Sequence, residues 1–212
     1  YMSNLQKRIL TSLVILPLSF FFIVKGGYFL IFFLIFVLLA GFKELFTAFK
    51  KRITILFLGL VLILSLFSIY YLRNDTFNNY ILYWVIILVA CSDIGGYTFG
   101  KIFKWKKLTK ISPKKTISGS IGSFVLSYVG FFVIYIYFSD LLFVRLQIEL
   151  LVFIPFFISL ICQLGDLLIS YFKRKSKIKN TGNLIPGHGG LLDRIDGSIF
   201  ALPIGFIIIS LL

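Results

Sequence analysis

The sequence predicts an all-α, polytopic integral membrane protein with about seven transmembrane helices, within a range of six to nine. Of its 212 residues, 59% are hydrophobic and 18% are aromatic, and the mean hydropathy is +1.00. These values lie well above those of soluble globular proteins. The apolar residues form runs long enough to cross the hydrocarbon core of a bilayer. We therefore expect a single transmembrane domain over residues 1–212.

Seven apolar segments separated by short charged loops are the predicted spans. The first, Ile9–Val24, follows two basic residues as a signal sequence does, but no small-residue cleavage site comes after it, so we expect a retained helix. The second begins at Tyr28 and reaches bilayer length only by continuing to Phe46. The others are residues 53–72, 80–100, 116–138, 150–172 and 198–212. The last helix has an alternative start near Leu191.

The distribution of the 22 Lys and Arg residues predicts how these helices are oriented. Nineteen lie before the first span or in the loops 43–52, 101–115 and 173–194. The intervening loops contain only Lys25, Arg73 and Arg145. Cytoplasmic loops of membrane proteins are enriched in Lys and Arg. We therefore expect the two polar regions, 92–122 and 163–198, to face the cytoplasm.

The formal net charge of +14 does not indicate a nucleic-acid-binding protein. The basic residues lie in short loops between apolar runs, where the positive-inside rule accounts for much of the excess. The sequence shows no water-soluble scaffold for a basic groove. Cys91 and Cys162 both lie in apolar segments, so we expect buried free thiols and no disulfide.

The segment 163–198 concentrates the polar chemistry of the chain. It contains three Asp, six basic residues, the only His and a Pro-Gly-His-Gly-Gly turn at 186–190. Glycines in such a turn allow positive φ and bring free N–H groups around an anion. Asp193 and Asp196 would share a helix face and could converge on one cation. The alternative is a charged first turn of the last helix.

Three residues in this segment, Asp166, Ser170 and Lys173, fall along one helix stripe. A carboxylate and a hydroxyl can hold a cation there, while Lys173 and Arg174 meet phosphate oxygens. The alternative is an interfacial helix end with a snorkelling Lys. The lone His188 has no second His or Cys near it for zinc, so we expect it to bind phosphate or to stabilise the turn.

The second polar region begins at Asp93, within or at the edge of an apolar helix. An ionised carboxylate there costs about 2.5–3.5 kcal/mol, which predicts a cation or a Lys as its partner. The alternative is that Asp93 marks the end of the span. The run from Ser112 to Thr116 places a proline turn and two ammonium groups before a helix start, which suits a triphosphate or a lipid phosphate. Contact with anionic lipids is the alternative.

These two regions together resemble the phosphatidate cytidylyltransferases, also called CDP-diacylglycerol synthases. One block is Ser92-Asp93-x-Gly95, then Ser112-Pro113-Lys114-Lys115-Thr116 and Gly119. The other is Ser170-x-x-Lys173-Arg174, then Lys179, then Pro186-Gly187-His188-Gly189-Gly190-x-x-Asp193-Arg194-x-Asp196. The resemblance covers about residues 92–198. The chain departs from the family pattern in having Asn180 for the usual Asp, Ile169 and Ser118 for a common Glu, and Gly197 for a frequent Ser.

The resemblance implies that phosphatidate attacks the α-phosphorus of CTP, giving CDP-diacylglycerol and pyrophosphate. It implies Mg²⁺ and leaves open a second cation, which could be monovalent. The implied catalytic residues are Asp166, Lys173, Asp193 and Asp196, and the three Asp are also the implied metal ligands. The implied substrate-binding residues are Asp93, Ser112, Lys114, Lys115, Thr116, Ser170, Arg174, Lys179, His188, Gly189, Gly190 and Arg194.

The resemblance also implies the bacterial inner membrane, with the active site facing the cytoplasm, and a homodimer for which no face is indicated. Two other functions stay open at this point. A polyprenol kinase or another CTP-using lipid enzyme would use similar residues. A transporter would also carry ionisable residues within its spans, although here the carboxylates cluster at one side of the membrane and not at the midplane.

Overall fold

The computed structural model describes residues 4–74, 79–109, 111–113, 115–142 and 152–211, and this part of the chain is all-α. The helices are α1 (Asn4–Lys25), α2 (Gly27–Ala48), α3 (Arg52–Asn74), α4 (Asn79–Phe103), α5 (Ile117–Leu142), α6 (Phe153–Lys175), α7 (Leu192–Ile195) and α8 (Ser198–Leu211). The predicted fold class is confirmed. Lys114 and Arg145 lie outside the described residues, as does the predicted start of the sixth span at residue 150.

The long helices have the dimensions of membrane spans. Helices α2 to α6 are long and apolar enough to cross a membrane, and α1 and α8 contain shorter apolar helices, Leu10–Lys25 and Ser198–Ile208. The described residues thus contain seven apolar helices, within the expected range. Helix α2 passes Phe46, as bilayer length required. The alternative start of the last helix near Leu191 is wrong, because the one-turn α7 is separate from α8.

Two clusters of buried side chains hold the helices together. One lies among α4, α5, α6 and α8, around Trp84, Phe131 and Ile158. The other lies among α2, α3, α6 and α8, around Leu62 and Ile199. The outer surface is apolar as well, and it exposes many large hydrophobic side chains along the long helices. An apolar exterior of this extent is what contact with lipid requires.

Helices α4 and α5 approach each other closely through small residues. A Cβ atom added to Gly95 would overlap the carbonyl group of Gly122, and one added to Gly119 would lie 2.7 Å from the carbonyl oxygen of Gly96. Small residues permit such close backbone packing between membrane helices. The contact brings the helix that carries Asp93 against the start of α5, where the second polar region ends.

The polar regions gather at one end of the helix bundle, here called the site end. Near the start of α1, Arg8 donates to the carbonyl oxygen of Gly187 at 2.7 Å, and near the end of α2, Glu44 accepts the N–H of Leu191. At the opposite end, Arg73 donates to the carbonyl oxygens of Ile23 and Val24 at 2.7 and 2.6 Å, which satisfies the last turn of α1. The helices therefore alternate in direction, as the charge distribution predicted.

Cysteine labelling tests this arrangement. Lys106 and Lys177 lie in exposed loops at the site end, whereas Tyr28 lies in the first turn of α2, at the opposite end, and is 90% exposed. In sealed vesicles, Lys106→Cys and Lys177→Cys should react with an impermeant maleimide from one side only, and Tyr28→Cys from the other. The parent protein measures the background from Cys91 and Cys162. Reaction at positions 106 and 177 from opposite sides would contradict the fold.

Candidate active site

A cavity of about 420 Å³ opens at the site end, where the loops 104–116 and 176–197 meet α4, α5 and α6. Residues of both sequence blocks line it: Asp93, Ser112, Lys115, Thr116, Asp166, Asp193, Arg194 and Asp196. Its volume falls in the range of small-molecule sites. The structure therefore brings together the two blocks that the sequence singled out.

An ion pair joins the two blocks across the cavity. The Lys115 ammonium lies 2.5 Å from Oδ2 of Asp166 and donates to the carbonyl oxygen of Gln163 at 3.3 Å. The Ser170 hydroxyl donates to Oδ1 of Asp166 at 3.4 Å, which confirms that these two residues share a helix stripe. The side chains of Lys115 and Asp166 remain 22% and 34% exposed, so both stay accessible from the cavity.

A second cation, Lys173, lies between two carboxylates. Its Nζ atom is 2.9 Å from Oδ1 of Asp193 and 3.8 Å from Oδ2 of Asp196. The side chains of Lys173 and Asp193 are only 10% and 9% exposed. The predicted convergence of Asp193 and Asp196 on a metal ion stays a prediction, but both residues face one cation. In the structure that cation is the Lys173 ammonium.

The glycine turn at 186–190 is folded around acceptors of the chain itself. Oδ2 of Asp193 accepts the N–H groups of Thr181 and Gly190 at 2.9 and 3.0 Å. The N–H groups of His188 and Gly189 donate to the carbonyl oxygen of Ile185. Gly189 has φ 97°, a conformation that side chains disfavour. Three of the four N–H groups in this turn, those of His188, Gly189 and Gly190, are therefore engaged within the chain, while anion binding by the turn and substrate binding by Gly189 and Gly190 stay predictions.

Asp196 lies in the turn between α7 and α8, where its Oδ1 accepts the N–H of Gly197 at 3.0 Å. Burial, and then the neighbouring carboxylate of Asp166, raise the pKa of Asp196 to about 8. When two carboxylates lie close together, each disfavours ionisation of the other, and a cation bound between them favours the ionised form of both. The electrostatics of the cavity therefore suit a cation between Asp166 and Asp196.

The described residues contain no group of three His, Cys, Asp or Glu side chains arranged to hold a metal ion. Both oxygens of Asp193 are already engaged, by Lys173 and by two backbone N–H groups. Mg²⁺ commonly takes one or two protein carboxylates and completes its shell with water and substrate phosphate. Asp166 and Asp196 line the cavity and fit that kind of site, where a metal ion on Asp166 would displace the Lys115 ammonium from Oδ2. Ligation by Asp193 stays a prediction that would require Lys173 to move.

Two comparisons with known proteins bear on the identity of the chain. The cytidylyltransferase family matches residues 47–212. The chain belongs to the cytidylyltransferase family. The phosphatidate cytidylyltransferase of Rickettsia bellii is 35% identical over 97% of this chain and 91% of its own length. That of Staphylococcus haemolyticus is 40% identical over 65% of this chain, and the match covers 52% of the relative.

Five predicted substrate-binding residues of this cytidylyltransferase family member lie at the cavity wall: Asp93, Ser112, Lys115, Thr116 and Arg194. The Asp93 carboxylate accepts a hydrogen bond from the Cys162 thiol at 3.5 Å. Thr116 accepts the N–H of Gly119 at 3.1 Å and so caps the start of α5. The Arg194 guanidinium donates to the carbonyl oxygen of His188 at 3.1 Å.

Other predicted residues do not line the cavity. Arg174 is exposed and donates to the carbonyl oxygen of Ile178, and Lys179 is exposed. His188 lies 2.9 Å from the Thr11 hydroxyl and 3.4 Å from that of Ser12, so it docks the turn on α1. Burial, with the positive charges of Arg194 and Arg8, lowers the pKa of His188. The turn-stabilising role is thus the one that the contacts support.

Sequence reasoning missed two groups of polar residues in this family member. Gln163 accepts a hydrogen bond from the Ser120 hydroxyl and donates one to the Ser159 hydroxyl at 3.2 Å. The Ser159 hydroxyl in turn lies 2.9 Å from the hydroxyl of Ser92, behind the cavity. Glu44, from α2, accepts hydrogen bonds from the loop that carries Asp193. One signal pointed to Glu44: it is the only acidic residue before position 75, and it lies near the C-terminal end of a helix, where a carboxylate is unfavourable.

Removing the Lys173 ammonium should destabilise the protein. Lys173→Met leaves Asp193 and Asp196 without their cation, and breaking a buried ion pair costs about 3–5 kcal/mol. Thermal unfolding in detergent measures the loss, with Lys177→Met as a control at an exposed Lys of the following loop. Adding Asp193→Asn to Lys173→Met should restore part of the stability. Equal melting temperatures for Lys173→Met and Lys177→Met would contradict the buried pair.

Proposed function

We propose that this chain is a phosphatidate cytidylyltransferase, which transfers CMP from CTP to phosphatidate and yields CDP-diacylglycerol and pyrophosphate. The observation that carries the proposal is the cavity in which cations and carboxylates of both blocks meet at one end of apolar helices. Family membership and relatives that bear this name support it. A water-soluble nucleotide and a membrane lipid can meet at such a place.

The reaction is a displacement at phosphorus. An oxygen of the phosphatidate phosphate forms a bond to the α-phosphorus of CTP, and the bond from that phosphorus to the pyrophosphate oxygen breaks. A phosphate monoester already carries negative charge near pH 7, so the protein need not supply a general base. Its contribution is the alignment of two anions and the stabilisation of the charge on the leaving pyrophosphate.

Different residues at the site would bind phosphate, bind the metal ion and fix the loop. Lys115 and Arg194 present positive charge to the cavity and would bind phosphate oxygens. Asp166 and Asp196 would hold Mg²⁺, which supplies further positive charge to the triphosphate when bound. Lys173 and Asp193 fix the loop that carries Asp196. A second cation and the role of Lys114 stay predictions.

We place the protein in the bacterial inner membrane with the cavity open to the cytoplasm. The partition of Lys and Arg supports this orientation, because the loops at the site end carry most of them. CTP would then enter from cytoplasmic water while the acyl chains of phosphatidate stay in the bilayer. The homodimer implied by the resemblance, and the absence of nucleic-acid binding, remain predictions.

A labelled-nucleotide assay separates the proposed activity from its alternatives. Detergent-purified protein receives phosphatidate or polyprenol, Mg²⁺, and CTP labelled at either the α- or the γ-phosphate. Cytidylyl transfer moves the α-label into the lipid and releases the γ-label in pyrophosphate. A polyprenol kinase would move the γ-label into the lipid, and that result would overturn the proposal. Uptake of label into sealed vesicles without pyrophosphate release would favour a transporter.

Charge removal at the cavity tests the proposed roles. Asp166→Asn and Asp196→Asn keep the shape of each side chain, and each should lower turnover by about 10²-fold or more, equivalent to about 2.7 kcal/mol of transition-state stabilisation. The amount of protein in the membrane serves as the folding control, and Lys177→Gln is the matched change at an exposed position. Near-normal turnover in both Asn variants would show that these two carboxylates do not contribute to the reaction.

A further inference from the structure

Glu44 is a buried carboxylate that belongs to neither sequence block. It lies near the C-terminal end of α2, is 5% exposed, and precedes the segment that matches the family. Three donors from a distant part of the chain converge on it. The N–H groups of Leu191 and Leu192 lie 2.6 and 2.9 Å from its oxygens, and the Thr181 hydroxyl lies at 3.0 Å.

The environment of Glu44 offers little else to stabilise its charge. No Lys, Arg or His of the described residues forms an ion pair with it. The C-terminal end of a helix carries partial negative charge, which is unfavourable for a carboxylate. Buried charges persist when hydrogen bonds satisfy them. The three hydrogen bonds from the loop therefore stabilise the Glu44 carboxylate, and the carboxylate in turn fixes the position of the loop.

The loop residues that bind Glu44 are those that place Asp193. Thr181 donates its hydroxyl to Glu44 and its N–H to Asp193, so a single residue connects the two carboxylates. Gly190 donates to Asp193, and a Cβ atom at this position would lie only 2.5 Å from Oε2 of Glu44. The loop thus wraps closely around Glu44 immediately before the turn of α7 that carries Asp193.

We propose that Glu44 is a positioning residue for the candidate active site. Its carboxylate fixes the segment 181–192, and this segment sets Asp193 and Asp196 against Lys173 at the cavity. Glu44 is not a catalytic residue, since it does not line the cavity. The inference rests on the proposed function for its effect on turnover, whereas its effect on loop geometry can be measured without any substrate.

The first measurement is hydrogen exchange of the full-length protein in detergent. Glu44→Gln keeps the shape of the side chain but turns one acceptor oxygen into an NH₂ group, which cannot accept an N–H. Peptides that cover 181–196 should then exchange at least about 10-fold faster, while peptides from α4 and α5 stay unchanged. Lys43→Gln, at the exposed neighbouring position, is the matched control and should leave exchange as in the parent protein.

The second measurement is turnover with phosphatidate and CTP. Glu44→Gln should lower kcat by about 10-fold or more, and Glu44→Asp, which retains the charge, should recover part of the loss. Because Glu44 acts through Asp193, the double variant with Asp193→Asn should be no slower than the slower single variant. Thr181→Val removes one bond to Glu44 and tests the same contact if Glu44→Gln fails to fold.

Unchanged exchange in 181–196, or an equal increase throughout the protein, would overturn the proposal. Faster exchange at normal kcat would overturn it as well, because the loop would then move without consequence for turnover. A parent protein that makes no CDP-diacylglycerol would disprove the proposed function instead, and the exchange result alone would then decide whether Glu44 positions the loop.

Discussion

The ion pairing of the nearly buried Lys173 ammonium with Asp193 and Asp196 is the interaction on which the site depends. The ammonium holds Asp193 directly and Asp196 at a longer distance, in a region from which water is largely excluded. Charged groups in such surroundings are stable only when paired and hydrogen-bonded. Backbone N–H groups of the loop supply the remaining bonds to Asp193. The folded loop and the ion pair therefore require each other.

The charged residues at the site end fall into two sets with different work. One set faces the cavity and is available to ligands: Asp93, Lys115, Asp166, Arg194 and Asp196. The other set is engaged within the protein and shapes the loop: Glu44, Lys173 and Asp193. Asp193 also reaches the cavity wall. This division explains how a site rich in charge can be built against membrane helices. Loop hydrogen bonds to Glu44 and the ion pair of Lys173 with Asp193 satisfy the buried members, and the members that line the cavity are left for substrate.

The sequence predicted those features that depend on residues close to each other along the chain. Apolar runs predicted the long helices, and the spacing of Asp166 and Ser170 predicted their shared stripe, which their hydrogen bond confirms. Contacts between distant segments could not be predicted in the same way. Glu44 meets Leu191, and Thr11 meets His188, only because α1 and α2 pack beside the loop. Local patterns likewise could not reveal that the cation shared by Asp193 and Asp196 is Lys173.

Anomalous diffraction from crystals grown with Mn²⁺ and a non-hydrolysable CTP analogue would test the central claim most directly. That claim is that both blocks form one nucleotide site, with Asp166 and Asp196 as the carboxylates available to a metal ion. We predict a manganese peak within coordination distance of these two side chains, with the triphosphate beside Lys115 and Arg194. A triphosphate bound outside the cavity, or a manganese ion held by Asp193 with Lys173 displaced, would contradict the account.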